Sequence, residues 1–309
     1  MTSNINIKVV GVGGSGNNAV SRMMKYKIKG VELIAINADA QDLQKARAHR
    51  KLRIGRNLTK GLGAGMNPEV GRQAAEEQRE EIEQMLRDTD MLFIAGGLGG
   101  GTCSGASPVV AEIAKNLGAL TLAVVTMPFS FEGVNRMEIA QNSLKKLKLK
   151  VDTLIAISNN KLLSILEPKT TVSNAFWFCD DILRQAVQGI SDLIVLPGII
   201  NIDFADIKAI MKNSGSALFG IGKAKGVERA KEAAKKALNS PLLDLSAKGA
   251  KGVLFNVSGG KDISLSEIDE AAKVITEEVS SEAKVIFGAI QDEKLNKGEI
   301  KITVIATGF

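Results

Sequence analysis

The chain has 309 residues, 45% of them apolar, and carries 40 Lys and Arg against 34 Asp and Glu, a net charge of +6. This composition fits two cores of ordinary size and excludes a disordered chain; no apolar stretch approaches the roughly 18 residues of a membrane span and no signal-peptide core opens the sequence, so a cytoplasmic protein is expected. The lysine clusters at Lys145–Lys150 and Lys223–Lys236 read as solvated faces of amphipathic helices with no interleaved aromatics, which argues against nucleic acid, and the two cysteines, Cys103 and Cys179, form neither a disulfide framework nor a metal-site spacing.

In chain order, Ile5 to Gly11 reads as an apolar strand, a helical pattern runs from Gly16 to Met24, and Val31 to Asn37 is a second strand. A basic, irregular connection follows through His49, a surface residue, and Arg53. Asn67-Pro68-Glu69 then supplies an N-cap, a proline at the first helical position and an early acid, opening one helix to about Arg87. Strand Met91–Ala95, helix Gly105–Asn116, strand Leu120–Thr126, helix Val134–Lys150 and strand Thr153–Ser158 complete an alternation that predicts a doubly wound parallel sheet.

From Val172 to Leu196 the apolar residues keep helical spacing without interruption, until Pro197-Gly198 stops them. Beyond it, strands at Ala217–Ile221, Gly252–Val257, Lys284–Gly288 and Ile300–Ala306 alternate with helices near Val227–Ala237 and Leu265–Glu278. The expected fold is α/β: a Rossmann-like domain over 1–171, a long central helix with its connecting loop over 172–200, and a smaller C-terminal α/β domain over 201–309.

Two glycine-rich loops carry the chemistry. Gly96 to Gly105 holds six glycines in ten residues between a strand and a helix, a backbone able to present N–H groups and a helix start to phosphate; it has no P-loop lysine. Gly11-Val-Gly13-Gly14-Ser15-Gly16 also satisfies G-x-G-x-x-G, with Asp39 at the end of the second strand. A dehydrogenase needs only the second of these loops. Two on one sheet are better explained as two arms around a triphosphate.

At the far end of the long helix, Asn201, Asp203 and Asp206 place two carboxylates at a helix start. Alone they read as an N-cap and a dipole-favoured acid, but beside the apolar Leu196–Ile200 they suit the orientation of a hydrolytic water. If Asp180 lies by the nucleotide, Asp203 is about 35 Å further along the helix direction. Such acids reach only a nucleotide held by another copy, through a head-to-tail contact that propagates into a filament.

These motifs, with Asn37–Gln41, Gly61–Gly71, Pro128–Gly133, Gln188–Ile194 and Val304–Phe309, resemble the FtsZ family of tubulin-like bacterial cell-division GTPases over essentially the whole chain. The resemblance implies GTP held with Mg²⁺, the metal bound mainly through the phosphates rather than by the protein. It implies phosphate contacts from Gly13, Gly14, Ser15, Gly16, Asn17 and Asn18 and from Gly99, Gly100, Gly101, Thr102 and Cys103. Glu132 and Arg136 would hold the sugar and phosphate region, Asn159 the ribose-side loop, and Phe176 and Asp180 the guanine. Asp203 and Asp206, with Asn201, would polarise water in the neighbouring subunit. Self-assembly in the cytoplasm at the division site, with membrane-tethering proteins bound through a flexible tail outside these residues, is also implied.

Without the resemblance, Glu132 and Arg136 read as an i, i+4 ion pair, Phe176 as core, Asp180 beside Asp181 as a solvated face, and Tyr26 and Trp177 as packing residues. Two departures from the family pattern stand out: Ser158-Asn159 where Pro-Asn is usual, and Cys103 where the phosphate loop has glycine. If position 103 needs a positive φ, the cysteine is strained and slows hydrolysis, so a filament protein with little turnover stays open as an alternative beside the more remote NAD-dependent dehydrogenase.

Overall fold

The computed structural model describes residues 5–163, 166–167, 169–240, 248–292 and 295–309; of the stretch read for a signal peptide, residues 1–4 lie outside these. The chain forms two compact units, residues 1–188 and 189–309. Among the described residues no helix is long and apolar enough to cross a membrane.

Unit 1 alternates β1 (Ile7–Val12), α1 (Gly13–Tyr26), β2 (Val31–Asn37), α2 (Ala40–Lys45), β3 (Arg50–Arg53), α3 (Pro68–Glu77), α4 (Arg79–Leu86), β4 (Met91–Gly97), α5 (Gly101–Asn116), β5 (Leu120–Met127), α6 (Val134–Lys148), β6 (Thr153–Ser158) and α7 (Asn159–Leu163). Its six strands lie in the order β3-β2-β1-β4-β5-β6, all parallel. The strands are continuous apolar runs because helices cover both faces, and Val10, Ile34, Ile94, Val110 and Ala123 share one fully buried core. Chain order reverses between the adjacent strands β1 and β4. In an open parallel sheet this is where a crevice forms beyond the carboxyl ends of the strands.

Both glycine loops leave the sheet at that reversal, and both wind into helix earlier than the sequence pattern suggests: α1 begins at Gly13 rather than Gly16, and α5 at Gly101 rather than Gly105. The glycines are therefore first turns of helices, with amide groups free of helical partners. Gly16 has no room for a side chain, since a Cβ would collide with the Ala95 carbonyl oxygen of β4.

Two further differences appear. The connection through His49 and Arg53 contains β3, and the helix expected to run unbroken from Asn67 to Arg87 is broken at Gln78. At this break the buried Gln78 Oε1 accepts the Gly55 amide at 2.5 Å, an amide that the Ala74 carbonyl of α3 also accepts at 3.1 Å. His49 is exposed, as expected, and its Nδ1 accepts the Leu33 amide at 2.8 Å.

The long helix α8 spans Val172–Val195, within a residue of its predicted end. Unit 2 continues with α9 (Phe204–Met211), β7 (Gly215–Lys225), α10 (Arg229–Leu238), β8 (Gly252–Gly259), α11 (Leu265–Glu277), β9 (Lys284–Gln291) and β10 (Glu299–Thr307). Here β10 lies between β7 and β8, antiparallel to both, and β8 pairs with β9 in parallel. The nearly buried Arg229 holds α10 to the start of α11 through Asp262 at 2.7 Å and Glu267 at 2.5 Å. A capping box between Ser264 and Glu267 fixes the same corner.

Candidate functional site

A cleft of about 380 Å³ opens in unit 1 at the carboxyl ends of β1, β4 and β5. Its floor is the two helix starts: Gly13, Gly14 and Ser15 of α1 and Gly100, Gly101, Thr102 and Cys103 around the first turn of α5. Two helix N-termini converging on one cleft give a field suited to a multiply charged anion. Gly99 has φ +98°, a conformation glycine supports, and its amide donates to Ser104 Oγ at 2.9 Å, which locks the phosphate loop onto α5. A Cβ on Gly100 would meet no protein atom within 4 Å, because that position faces open space.

Glu132 and Arg136 line one side as an ion pair 3.1 Å apart, and the Glu132 carboxylate also accepts the Phe129 amide at 2.8 Å. Asn159 lies on the wall and is 4% exposed, with an Oδ1 that has no hydrogen-bond partner among the described residues. A buried acceptor left unpaired is costly unless a ligand satisfies it.

Phe176 and Asp180 come from α8, one turn apart. Phe176 is 38% exposed and meets the buried Phe129 edge-on at 5.4 Å, so it forms an aromatic ledge rather than core. Asp180 is buried, not on a solvated face. Ser15 Oγ donates to its Oδ1 at 3.2 Å and Arg22 Nη2 to its Oδ2 at 3.4 Å. Burial pushes its carboxyl up to about 6, against the opposing pull of Arg22 and Ser15. Tyr26 and Trp177 are half exposed, not packed inside: Arg184 lies over the Tyr26 ring at 4.2 Å and Arg22 over Trp177 at 5.0 Å.

Of the residues expected at the nucleotide, Gly16, Asn17 and Gly99 do not line the cleft. Gly16 is pressed against β4, Asn17 is buried with both amide atoms unpartnered, and Gly99 acts through its bond to Ser104. The cleft adds Gly97, Leu98 and Pro128, which lie within the motifs but were given no contact of their own, and Thr126 and Cys179, which lie outside them. Most of these sit at carboxyl ends of parallel strands, a positional signal independent of residue type.

The strain expected at Cys103 is absent. The residue is third in α5 and is not among the positions with positive φ. Its side chain packs in the unit 1 core with Sγ 3.4 Å from Ser107 Oγ, and burial raises the thiol to about 11. Asp39, which a dehydrogenase would set on a ribose, caps α2 by accepting the Asp42 amide at 2.9 Å.

In unit 2 the acidic loop is held from behind: the Ile199 and Ile200 amides donate to the Ala289 carbonyl of β9, and Asn201 Oδ1 accepts the Gly198 amide at 2.7 Å. Asp203 is the N-cap residue of α9, yet its side chain makes no capping bond and stays exposed; Asp206 lies in the first turn. None of Asn201, Asp203 and Asp206 lines the unit 1 cleft.

The Tubulin/FtsZ family GTPase domain matches residues 6–167 and the FtsZ family C-terminal domain matches residues 215–309. An FtsZ dimer of M. jannaschii, described as empty, is similar at 47% identity and a TM-score of 0.94, covering 98% of this chain and 88% of that one. The same fold appears at lower identity in two Haloferax volcanii proteins. One is CetZ2 in a GTPγS-bound protofilament, with 19% identity, a TM-score of 0.81 and coverage of 98% and 92%. The other is GDP-bound monomeric CetZ1, with 21% identity, a TM-score of 0.84 and coverage of 99% and 94%.

Proposed function

The chain belongs to the Tubulin/FtsZ family, and on that premise we propose that it binds GTP in the unit 1 cleft, polymerises head to tail, and hydrolyses GTP at sites completed between successive subunits of a cell-division filament. In this reading the first turns of α1 and α5 hold the phosphates, with Gly13, Gly14, Gly101 and Thr102 offering backbone amides. Glu132 and Arg136 hold the sugar and phosphate region. Asn159 gives its unpaired acceptor to the ribose side, Phe176 its ring to the base, and the Asp180 carboxylate accepts from the guanine N–H groups. Mg²⁺, bound mainly through the phosphates, would neutralise charge on their oxygens.

The observation that carries the proposal is the state of Asp203. A side chain at an N-cap ordinarily satisfies its own helix. This one is exposed and uncommitted, with Asp206 beside it and a loop pinned behind it. From Asp180 to Val195 the helix α8 continues for roughly 22 Å, and the acids lie beyond its end in sequence. They are offered to the nucleotide of the next copy, where they orient the attacking water while the helix starts stabilise charge on the transferred phosphoryl group. The dimer and protofilament of the similar proteins support association of this kind.

Mixing two inactive variants tests it. Asp203→Ala with Asp206→Ala lacks the acids, and Gly14→Trp blocks the cleft. Each alone is expected to release little phosphate, and the mixture to regain activity at interfaces pairing an intact cleft with intact acids. A mixture as inactive as its components contradicts the proposal.

A further inference from the structure

Residues 1–188 contain 24 Lys and Arg against 18 Asp and Glu, whereas residues 189–309 contain 16 of each, so the whole net charge of +6 resides in unit 1. Within unit 1 the charge is local. The 26 residues from Leu43 to Pro68 hold seven Lys and Arg and no Asp or Glu. They include β3, which pairs with β2 on one side and ends the unit 1 sheet on the other, leaving a row of backbone donors and acceptors without a strand partner.

Two of the seven cations approach carboxylates: Arg56 meets Glu81 at 2.7 Å and Arg50 lies 3.9 Å from Glu32. Lys45, Arg47, Arg53 and Lys60 are exposed and have no ion pair among the described residues. The Arg47 amide donates to Ser21 Oγ at 2.9 Å, which ties this edge to α1, whose end adds exposed Lys25 and Lys27.

We infer that the β3 edge is a docking surface for an extended acidic peptide, which adds as a strand beside β3 with its carboxylates among Arg47, Arg53 and Lys45. Cations along an edge strand repel a basic strand and lose hydration against a neutral one, whereas a strand of opposite sign compensates them. Backbone bonds along the edge supply affinity and the cations supply selectivity. Nucleic acid fits less well, since residues 43–68 hold no Phe, Tyr or Trp on which bases could stack. A bilayer would engage the charges but make no use of the open strand.

The test is fluorescence anisotropy of a labelled peptide of alternating Glu and Thr, long enough to span β3, titrated with the full 309-residue chain at low and physiological ionic strength. Charge reversal at the edge, Arg47→Glu with Arg53→Glu, is expected to weaken binding about tenfold or more. The same charge change on α6, Lys145→Glu with Lys148→Glu, is expected to leave it within about twofold. Circular dichroism checks that both variants fold. If the edge variant does not, the wild-type chain with the peptide N-methylated at alternate residues decides, and binding is expected to be lost. No binding at low salt, equal loss from the two charge reversals, or unchanged binding of the N-methylated peptide would overturn the inference. So would tighter binding of single-stranded DNA of equal charge or of phosphatidylserine vesicles.

Discussion

Ser15 Oγ donates a hydrogen bond of 3.2 Å to Asp180 Oδ1, and this bond joins the first turn of α1 to the buried acid of α8. In the proposed reading this bond links the phosphate end of the cleft to its base end, so the protonation state of one carboxyl is expected to affect both. Asp180 titrates near pH 6 because burial outweighs Arg22 and Ser15. Its folded value lies above its unfolded one, so the folded chain holds the extra proton between about pH 4 and 6. This group's contribution to stability is therefore present at low pH and lost as pH rises through that window.

Binding responds in the opposite sense. Only the ionised Asp180 accepts from the guanine N1–H and 2-amino group, so GTP affinity is expected to rise between about pH 5 and 7. Asp180→Asn should flatten that profile and lower affinity about tenfold at neutral pH. Titrations with GTP and with ITP, which lacks the 2-amino group, check both points. An unchanged pH profile in the variant would remove Asp180 from base recognition.

The two loops give opposite predictions for glycine substitutions that look alike in sequence. Gly100→Ala places a methyl in open space, so its melting temperature should match the wild type while GTP affinity drops about tenfold through crowding of the phosphates. Gly16→Ala pushes a methyl into the Ala95 carbonyl and should lose about 3 kcal/mol or more of stability. Thermal unfolding paired with nucleotide titration separates the two effects. Equal destabilisation in both variants would contradict the assignment.

Cys103→Gly would accelerate turnover if the cysteine were strained, but the helical backbone and the packed thiol predict otherwise. The variant removes core contacts and introduces glycine into a helix, so it should lose about 1–2 kcal/mol with turnover per folded molecule unchanged. A faster enzyme of equal stability would show that the thiol does obstruct the site.

Asp203→Asn keeps the size of the side chain and removes its charge. It is expected to bind GTP and assemble as the wild type does, while phosphate release falls about a hundredfold. Loss of nucleotide affinity in step with turnover would instead place Asp203 in binding.

Much of this was legible in the chain because the residues concerned carry their own local physics. Glycine runs after apolar strands identified both arms of the cleft, and Pro197-Gly198 stopped α8 where the helix ends. What escaped depended on contacts between distant segments. β3 has one buried residue, Leu52, among Arg and Lys and gains strand geometry only from its pairing with β2. The break at Gln78 goes with a side-chain bond to Gly55, 23 residues away in sequence. Thr126 and Cys179 reach the cleft through topology, which no spacing within a motif reports. The misjudged cysteine has the same origin, since a glycine-rich run hid the point at which helix α5 begins.

Phosphate release per molecule measured against protein concentration tests the central claim most directly. Acids borrowed from a neighbouring subunit predict almost no turnover below an assembly threshold and a steep rise above it. Full turnover by molecules shown to be unassembled would contradict the account.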